Sequence, residues 1–233
     1  MNLSIITRNY KEPSFCEKEI LRYAGCKSSD DELLQLLRAC IEEVRDKLTY
    51  KVCYRELSIT VVDEVCDFGC FSLESKNLAW NLQNCNSVIL FAATMGVEMD
   101  RLIAKYGRIS PSRALLLQAI GAERIEALCD AFCEDIAREK KMVTMPRFSP
   151  GYGDLPLEAQ KEIFKLLDCS KQIGLFLNDS LLMSPSKSVT AFLGLMDVQS
   201  VTDGKARISD EGQKKMNKCG SCTKRDCAYR GAL

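Results

Sequence analysis

The longest apolar run in this chain, Val88 to Val97, is ten residues long and contains Gly96. A helix needs about 20 apolar residues to cross a bilayer, so this run is half the length of a membrane span. It suits a buried strand over Val88 to Ala93 that runs into a glycine turn. Such a strand must lie on a core, and the chain has the material for one. Hydrophobic side chains make up 46 % of its 233 residues, which fits one domain of ordinary to large size.

The segments around this strand alternate between helical and extended patterns. Asp30 or Asp31 caps a helix reaching about Leu48, with Leu33, Leu37, Cys40, Ile41, Val44 and Leu48 on one side. Val52, Tyr54, Leu57, Ile59 and Val61 predict a strand over Val52 to Val62 with one slip in phase. Gly69 sits in a turn before a short second strand, Leu73 to Leu82 with Trp80 is a short helix, and Met95 to Tyr106 is another. The longest helix starts near Pro111 and runs to about Lys140, with Ala114, Leu117, Gly121, Ile125, Leu128, Phe132 and Ile136 at helical spacing. Gly121 in its middle costs about 1 kcal/mol relative to alanine, which predicts a close crossing with another backbone. The fold class is α+β.

Charge and composition exclude whole classes of function. Lys plus Arg and Asp plus Glu both number 32, so no overall basic field draws the chain to nucleic acid or to an anionic membrane. Arg8, Lys11 and Glu12 follow closely on Leu3 to Ile6, so the N-terminus lacks the apolar core of a signal peptide and the expected location is cytoplasmic. The 13 cysteines are odd in number and scattered, unlike a disulfide scaffold. Cys40, Cys129 and Cys133 lie on helical patterns, where a thiol acts as a small hydrophobe. No histidine is present, which removes Ser-His-Asp and Cys-His machinery, histidine metal triads and imidazole proton shuttles together. What remains is chemistry by positioning.

Residues 146 to 153 read Pro-Arg-Phe-Ser-Pro-Gly-Tyr-Gly. Arg147 offers a planar fork of donors suited to gripping a carboxylate. Pro150 stiffens the turn, and Gly151 and Gly153 let backbone groups near Ser149 approach a ligand. Tyr152 adds an aromatic face against which a sulfonium cation can lie. The same residues also fit a Pro-Gly surface loop with one solvated arginine.

This loop, followed by Asn178-Asp-Ser-Leu-Leu-Met-Ser-Pro-Ser-Lys-Ser-Val189, resembles the signature of the reactivation domain of cobalamin-dependent methionine synthase. Asp154 to Asp168 is similar to the helix after the arginine loop in that family, Gly174 to Ser180 and Ser188 to Thr190 to its next strand, turn and strand, and Phe91 to Gly96 to its strand and glycine turn. The similarity covers roughly residues 88 to 195. It implies a single domain with a mainly antiparallel twisted sheet flanked by long helices, spanning residues 1–197. It also implies S-adenosylmethionine bound through Arg147, Ser149, Gly151 and Tyr152. An acidic residue on the long helix, Glu123 or Glu126, would face the ligand's amino group, although a solvated helix charge explains either glutamate. The family's N-terminal aspartate segment and the tyrosine pair after the last strand have no counterpart here.

Residues 198–233 form a basic, cysteine-containing tail, with eight Lys or Arg against three Asp or Glu over residues 205 to 230. Cys219, Cys222 and Cys227 have the spacing to hold zinc or an iron–sulfur cluster. A flexible reduced tail and a redox-active CxxC fit the same residues.

Two functions follow. The resemblance implies a free-standing reactivation subunit that binds S-adenosylmethionine and supports reductive methylation of cobalamin supplied by a partner, a corrinoid-binding methionine synthase lacking its own activation domain, with flavodoxin or ferredoxin as reductant. The alternative is a non-catalytic docking or metal-binding module that keeps the fold without the ligand site. Neither nucleic acid nor membrane is an expected partner.

Overall fold

The computed structural model describes residues 4–26 and 30–197. Its central sheet is antiparallel throughout, built from β1 (Ile6–Tyr10), β2 (Tyr50–Ser58), β6 (Ser87–Thr94), β7 (Val143–Thr144) and β10 (Ser188–Met196) in the order β1-β2-β6-β10-β7. Successive side chains on a strand point to opposite faces. Val52, Tyr54, Ile89, Phe91, Ala93, Ala191, Leu193 and Leu195 therefore enter one core, and Cys53, Leu57, Val88, Leu90, Ala92 and Phe192 enter another. All eight residues of β6 are buried, because both faces of the central strand are covered. That is why the sequence there is a continuous apolar run rather than an alternating one.

The first core is closed by α1 (Glu17–Tyr23), α2 (Asp31–Val44), α4 (Glu98–Ile109) and α5 (Pro111–Lys140). The second is closed by α3 (Lys76–Leu82), α6 (Ala159–Leu167), α7 (Cys169–Ile173) and a small antiparallel sheet of β3 (Thr60–Val62), β4 (Val65–Asp67) and β5 (Ser72–Glu74). A hairpin of β8 (Phe176–Leu177) and β9 (Met183–Ser184) leads into β10.

Local rules account for where the elements start and stop. Asp30 caps α2 by accepting from the Leu33 amide at 2.8 Å, and the helix ends at Val44, short of Leu48, as the chain turns through Asp46 at φ 60°. The phase slip in the predicted strand 52–62 is a real break: β2 ends at Ser58, and after Ile59 the chain passes into the small sheet as β3. Ser75 caps α3 by accepting from Leu78 N at 3.1 Å, so Leu73 belongs to β5 rather than to a helix. The turn at Gly96, φ 76°, delays α4 from Met95 to Glu98. Helix α5 has the predicted extent, with Pro111 in its first turn and Arg138 and Lys140 against its C-terminal dipole.

Gly121 does not meet a backbone, contrary to its sequence-based expectation. A Cβ there would lie 2.8 to 3.1 Å from Cε, Cδ and Cγ of Lys187, so the glycine makes room for a lysine stem crossing α5. On the sheet side of this core, Phe132 of α5 packs against Tyr54 and Phe91 with ring centroids 5.2 and 4.8 Å apart. Such pairs contribute about 0.5–1.5 kcal/mol beyond their burial.

Two glycines should answer oppositely to alanine. A Cβ on Gly194 in β10 would sit 2.4 Å from Cys85 Sγ and 2.8 Å from Leu82 Cδ2, whereas one on Gly107 in α4 meets nothing within 4 Å. Gly194→Ala is expected to destabilise by about 1–3 kcal/mol through overpacking. Gly107→Ala should stabilise by roughly 0.5–1 kcal/mol through helix propensity. Urea unfolding midpoints of the two variants check both signs.

Candidate functional site

The arginine loop hangs between the edge of the sheet and α3. Met145 N donates to Gly194 O at 2.8 Å, and Phe148 and Phe192 exchange backbone bonds of 3.0 and 2.8 Å, which continues the pairing of β7 along β10 by one bridge. The Asn81 side chain donates to Pro146 O at 3.2 Å. Beyond Pro150 the chain closes on itself, with Tyr152 N donating to Ser149 O at 3.1 Å and Gly151 N to Leu155 O at 3.0 Å. Gly151 adopts φ +88°, and at Gly153 a Cβ would fall 2.3 Å from Asn77 Nδ2. Both positions therefore require glycine, one for its dihedral and the other for space as well.

Asp154 completes the clamp from the loop side. Its carboxylate accepts from Ser75 Oγ at 2.5 Å, Lys76 N at 2.8 Å and Asn77 N at 3.2 Å, across the first turn of α3. Burial pushes this carboxyl up, but the Ser75 hydroxyl and the backbone amides outweigh it and hold the group below the usual carboxylate range. The helix predicted from Asp154 consequently starts only at Ala159.

Within this frame Arg147 points at α5. Its Nη2 donates to Glu126 Oε2 at 2.8 Å, its Nη1 to Asp130 Oδ1, and Nη1 also contacts Cys133 Sγ at 3.9 Å. Positions 126, 130 and 133 share one helix face, which is why a single guanidinium reaches all three. The side chain is 13 % exposed. Burial alone would lower its pKa, but the neighbouring Cys129 and Cys133 thiols and Asp130 more than reverse that, so the group stays charged. Cys129 beneath it is fully buried, and burial raises its thiol pKa.

Glu123 lies elsewhere in the pattern. It is 5 % exposed and accepts from the Arg124 guanidinium and, at 3.2 Å, from Cys16 N. Arg124 is fully buried: it also donates to Pro13 O, to Ser14 O at 2.7 Å, and stacks over Phe15 at 4.1 Å. These bonds press residues 13–16 against the flank of α5. Between them is a cavity of about 550 Å³, with Pro13, Ser14 and Cys16 on one side and Glu123, Glu126 and Asp130 on the other.

The structure thus brings Arg147 and Glu126 together and puts Ser149, Gly151 and Tyr152, the last 58 % exposed, on the same loop. Asp130, Arg124 and segment 13–16 were not anticipated. The four-residue spacing from Glu126 was a legible signal for Asp130. Nothing local marks Arg124, since arginine is ordinarily exposed. Among the described residues no cluster of three metal-binding side chains occurs, and no helix is long and apolar enough to cross a membrane. Cys219, Cys222 and Cys227 lie outside the described residues.

Residues 79–201, more than half of the chain, match the family described as vitamin B12 dependent methionine synthase, activation domain. The chain belongs to this family. The matched stretch runs from α3 through the arginine loop to the end of β10 and so contains Glu123, Glu126, Asp130 and Arg147, while segment 13–16 precedes it. The fold is shared with a crystal structure of the MetH reactivation domain bound to AdoHcy, at 13 % identity and a TM-score of 0.60, covering 82 % of this chain and 78 % of that one. No curated protein matches this activation domain.

The Asp154 clamp carries a pH signature. A carboxylate whose pKa is lowered by folding contributes stability above its unfolded value of about 3.9 and loses it as pH falls through the folded value. Asp154→Asn should therefore melt below wild type at pH 7, and the gap should close as pH drops below about 4. Thermal melts from pH 7 to pH 2.5 measure this, and a gap that stays constant would assign the loss to geometry instead.

Proposed function

We propose that this activation domain is a free-standing reactivation subunit, which binds S-adenosylmethionine and supports reductive methylation of an inactivated corrinoid on a methionine synthase that lacks its own activation domain. The observation that carries the reading is the arginine fork, held by a braced loop against two carboxylates that line a cavity of about 550 Å³. On binding, Arg147 exchanges one carboxylate partner for that of the ligand, and a bidentate grip orients the amino-acid end. Glu126 is then placed for the ligand's amino group. Glu123, already committed to Arg124 and Cys16 N, contributes by closing the wall rather than by reaching the amine. Ser149 and Gly151 shape the loop, and the exposed Tyr152 ring offers a face to the sulfonium.

Cobalamin would come from the partner, since a chain with no histidine offers no imidazole to cobalt. The methyl acceptor and its reductant, a flavodoxin or ferredoxin, thus meet this subunit in trans in the cytoplasm. Residues 1–197 form the activation-like domain in this reading and residues 198–233 a basic tail. The alternative, a docking module without the ligand, draws support from one observation: Arg147 already has two carboxylate partners.

Calorimetric titration with S-adenosylmethionine separates the two. Wild type should bind, and Arg147→Ala should lose about 1.5–3 kcal/mol of binding free energy, a tenfold to more than hundredfold weakening. Equal affinities would remove Arg147 from the site. For the tail, we propose that Cys219, Cys222 and Cys227 hold zinc or an iron–sulfur cluster, as thiolates select these over hard cations. Elemental analysis of anaerobically purified protein should find zinc or iron that is lost in the Cys219→Ser, Cys222→Ser double variant.

A further inference from the structure

A fully buried guanidinium needs a reason, because removing an arginine from water costs several kcal/mol unless every donor is matched. Arg124 is matched by four groups: the Glu123 carboxylate beside it, the carbonyls of Pro13 and Ser14, and the face of the Phe15 ring. Three of the four belong to one short segment, residues 13–15, more than 100 positions away in sequence. The Glu123 carboxylate reaches the same segment through Cys16 N. One residue earlier, Glu12 accepts from the Tyr50 hydroxyl at 3.1 Å. Residues 12–16 have no helix or strand of their own, so side chains of α5 and β2 supply their order.

Pro13, Ser14 and Cys16 form the side of the cavity that faces Glu126 and Asp130, the two partners of Arg147. From this juxtaposition we infer that Arg124 is a positioning residue of the ligand site: it converts segment 13–16 into a fixed wall, so that the cavity lined by Glu126 and Asp130, the carboxylate partners of Arg147, is preformed rather than assembled around the ligand. The inference rests on the reading of that cavity as the S-adenosylmethionine site. The planar fork is essential to it, since two adjacent carbonyls and one carboxylate must be met at once by a single rigid group, which the point charge of a lysine does not do. A preformed wall raises affinity because the ordering of those residues is not charged against binding.

The test uses the full chain. Arg124→Met alone would strand the Glu123 charge in the interior and unfold the region, so it is combined with Glu123→Gln; Arg124→Lys is the conservative partner. S-adenosylmethionine affinity is measured by calorimetry, and amide exchange over residues 13–16 and over β6 by mass spectrometry. Ile163→Val, in the core on the opposite face of the sheet, serves as a variant that lowers stability without touching the wall. The expected result is faster exchange at 13–16 with β6 unchanged, S-adenosylmethionine binding weakened at least about tenfold in the double variant and less in Arg124→Lys, and unchanged binding in Ile163→Val. Wild-type affinity in the double variant overturns the inference, whether or not exchange rises, and so does unchanged exchange at 13–16. Absence of binding in the wild type is a separate outcome that overturns the site reading itself, and this inference with it.

Discussion

Helix α5, 30 residues long, packs on one face of the sheet, and the placement of the charged groups around the cavity follows from that contact. Its apolar side, including Leu117, Ile120, Leu128, Phe132 and Ile136, is buried against the aromatic and aliphatic side chains of β2, β6 and β10. Packing on this scale leaves the helix no freedom to rotate. Its two flanks are consequently fixed in direction: Glu126, Asp130 and Cys133 face the arginine loop, and Glu123 with Arg124 faces the N-terminal segment. A rigid helix with two differently charged flanks is a suitable scaffold for a site, since positions on regular elements are held more tightly than positions on loops.

Charge around the cavity is organised as pairs. Arg22 bonds Glu19 at 2.7 Å, Arg124 bonds Glu123, and Arg147 bonds Glu126 and Asp130. The exposed Arg22 pair contributes little, as surface pairs are worth about 0–1 kcal/mol. The Arg124 pair is the opposite case: its net stabilisation is modest against its desolvation, yet removing one partner costs about 3–5 kcal/mol. Such a pair specifies geometry more than it stabilises. Arg147 stands between these extremes, mostly enclosed yet paired to two carboxylates that remain partly exposed.

The loop that carries Arg147 shows how irregular backbone can be made rigid. It is bonded to β10 at residues 145 and 148, to α3 through Asn81 and Asp154, and to itself at residues 149–155. Gly153 and Asn77 fit so closely that any side chain at 153 would force the Asn77 side chain to move. Loop and helix are thus one unit, although they are separated by some 70 residues of chain.

How much of this could be read from residues alone depends on the range of the interaction. Periodicity and capping are local, so the apolar run of β6, the full length of α5 from Pro111 to Lys140 and the Asp30 cap were all legible. The Pro-Arg-Phe-Ser-Pro-Gly-Tyr-Gly stretch was legible too, because glycine and proline at fixed spacing constrain the backbone wherever they occur. The change of sheet at Ile59 appeared only as a slip in phase, since alternation records which face a residue takes and not which sheet it joins. Gly121 was recognised as a place of close approach, but its partner, the Lys187 stem, lies 66 positions away and leaves no mark beside it. Arg124 and segment 13–16 were illegible for the same reason: local rules put an arginine in water, and only a fold that delivers two carbonyls, an aromatic face and a carboxylate to one point makes its burial favourable. The sequence by itself determined the longest elements, the class of fold and the arginine loop. The tertiary structure decided which carboxylates meet Arg147 and what walls the cavity, because those contacts are set by how packed helices and strands are aimed and not by any residue's neighbours in the chain.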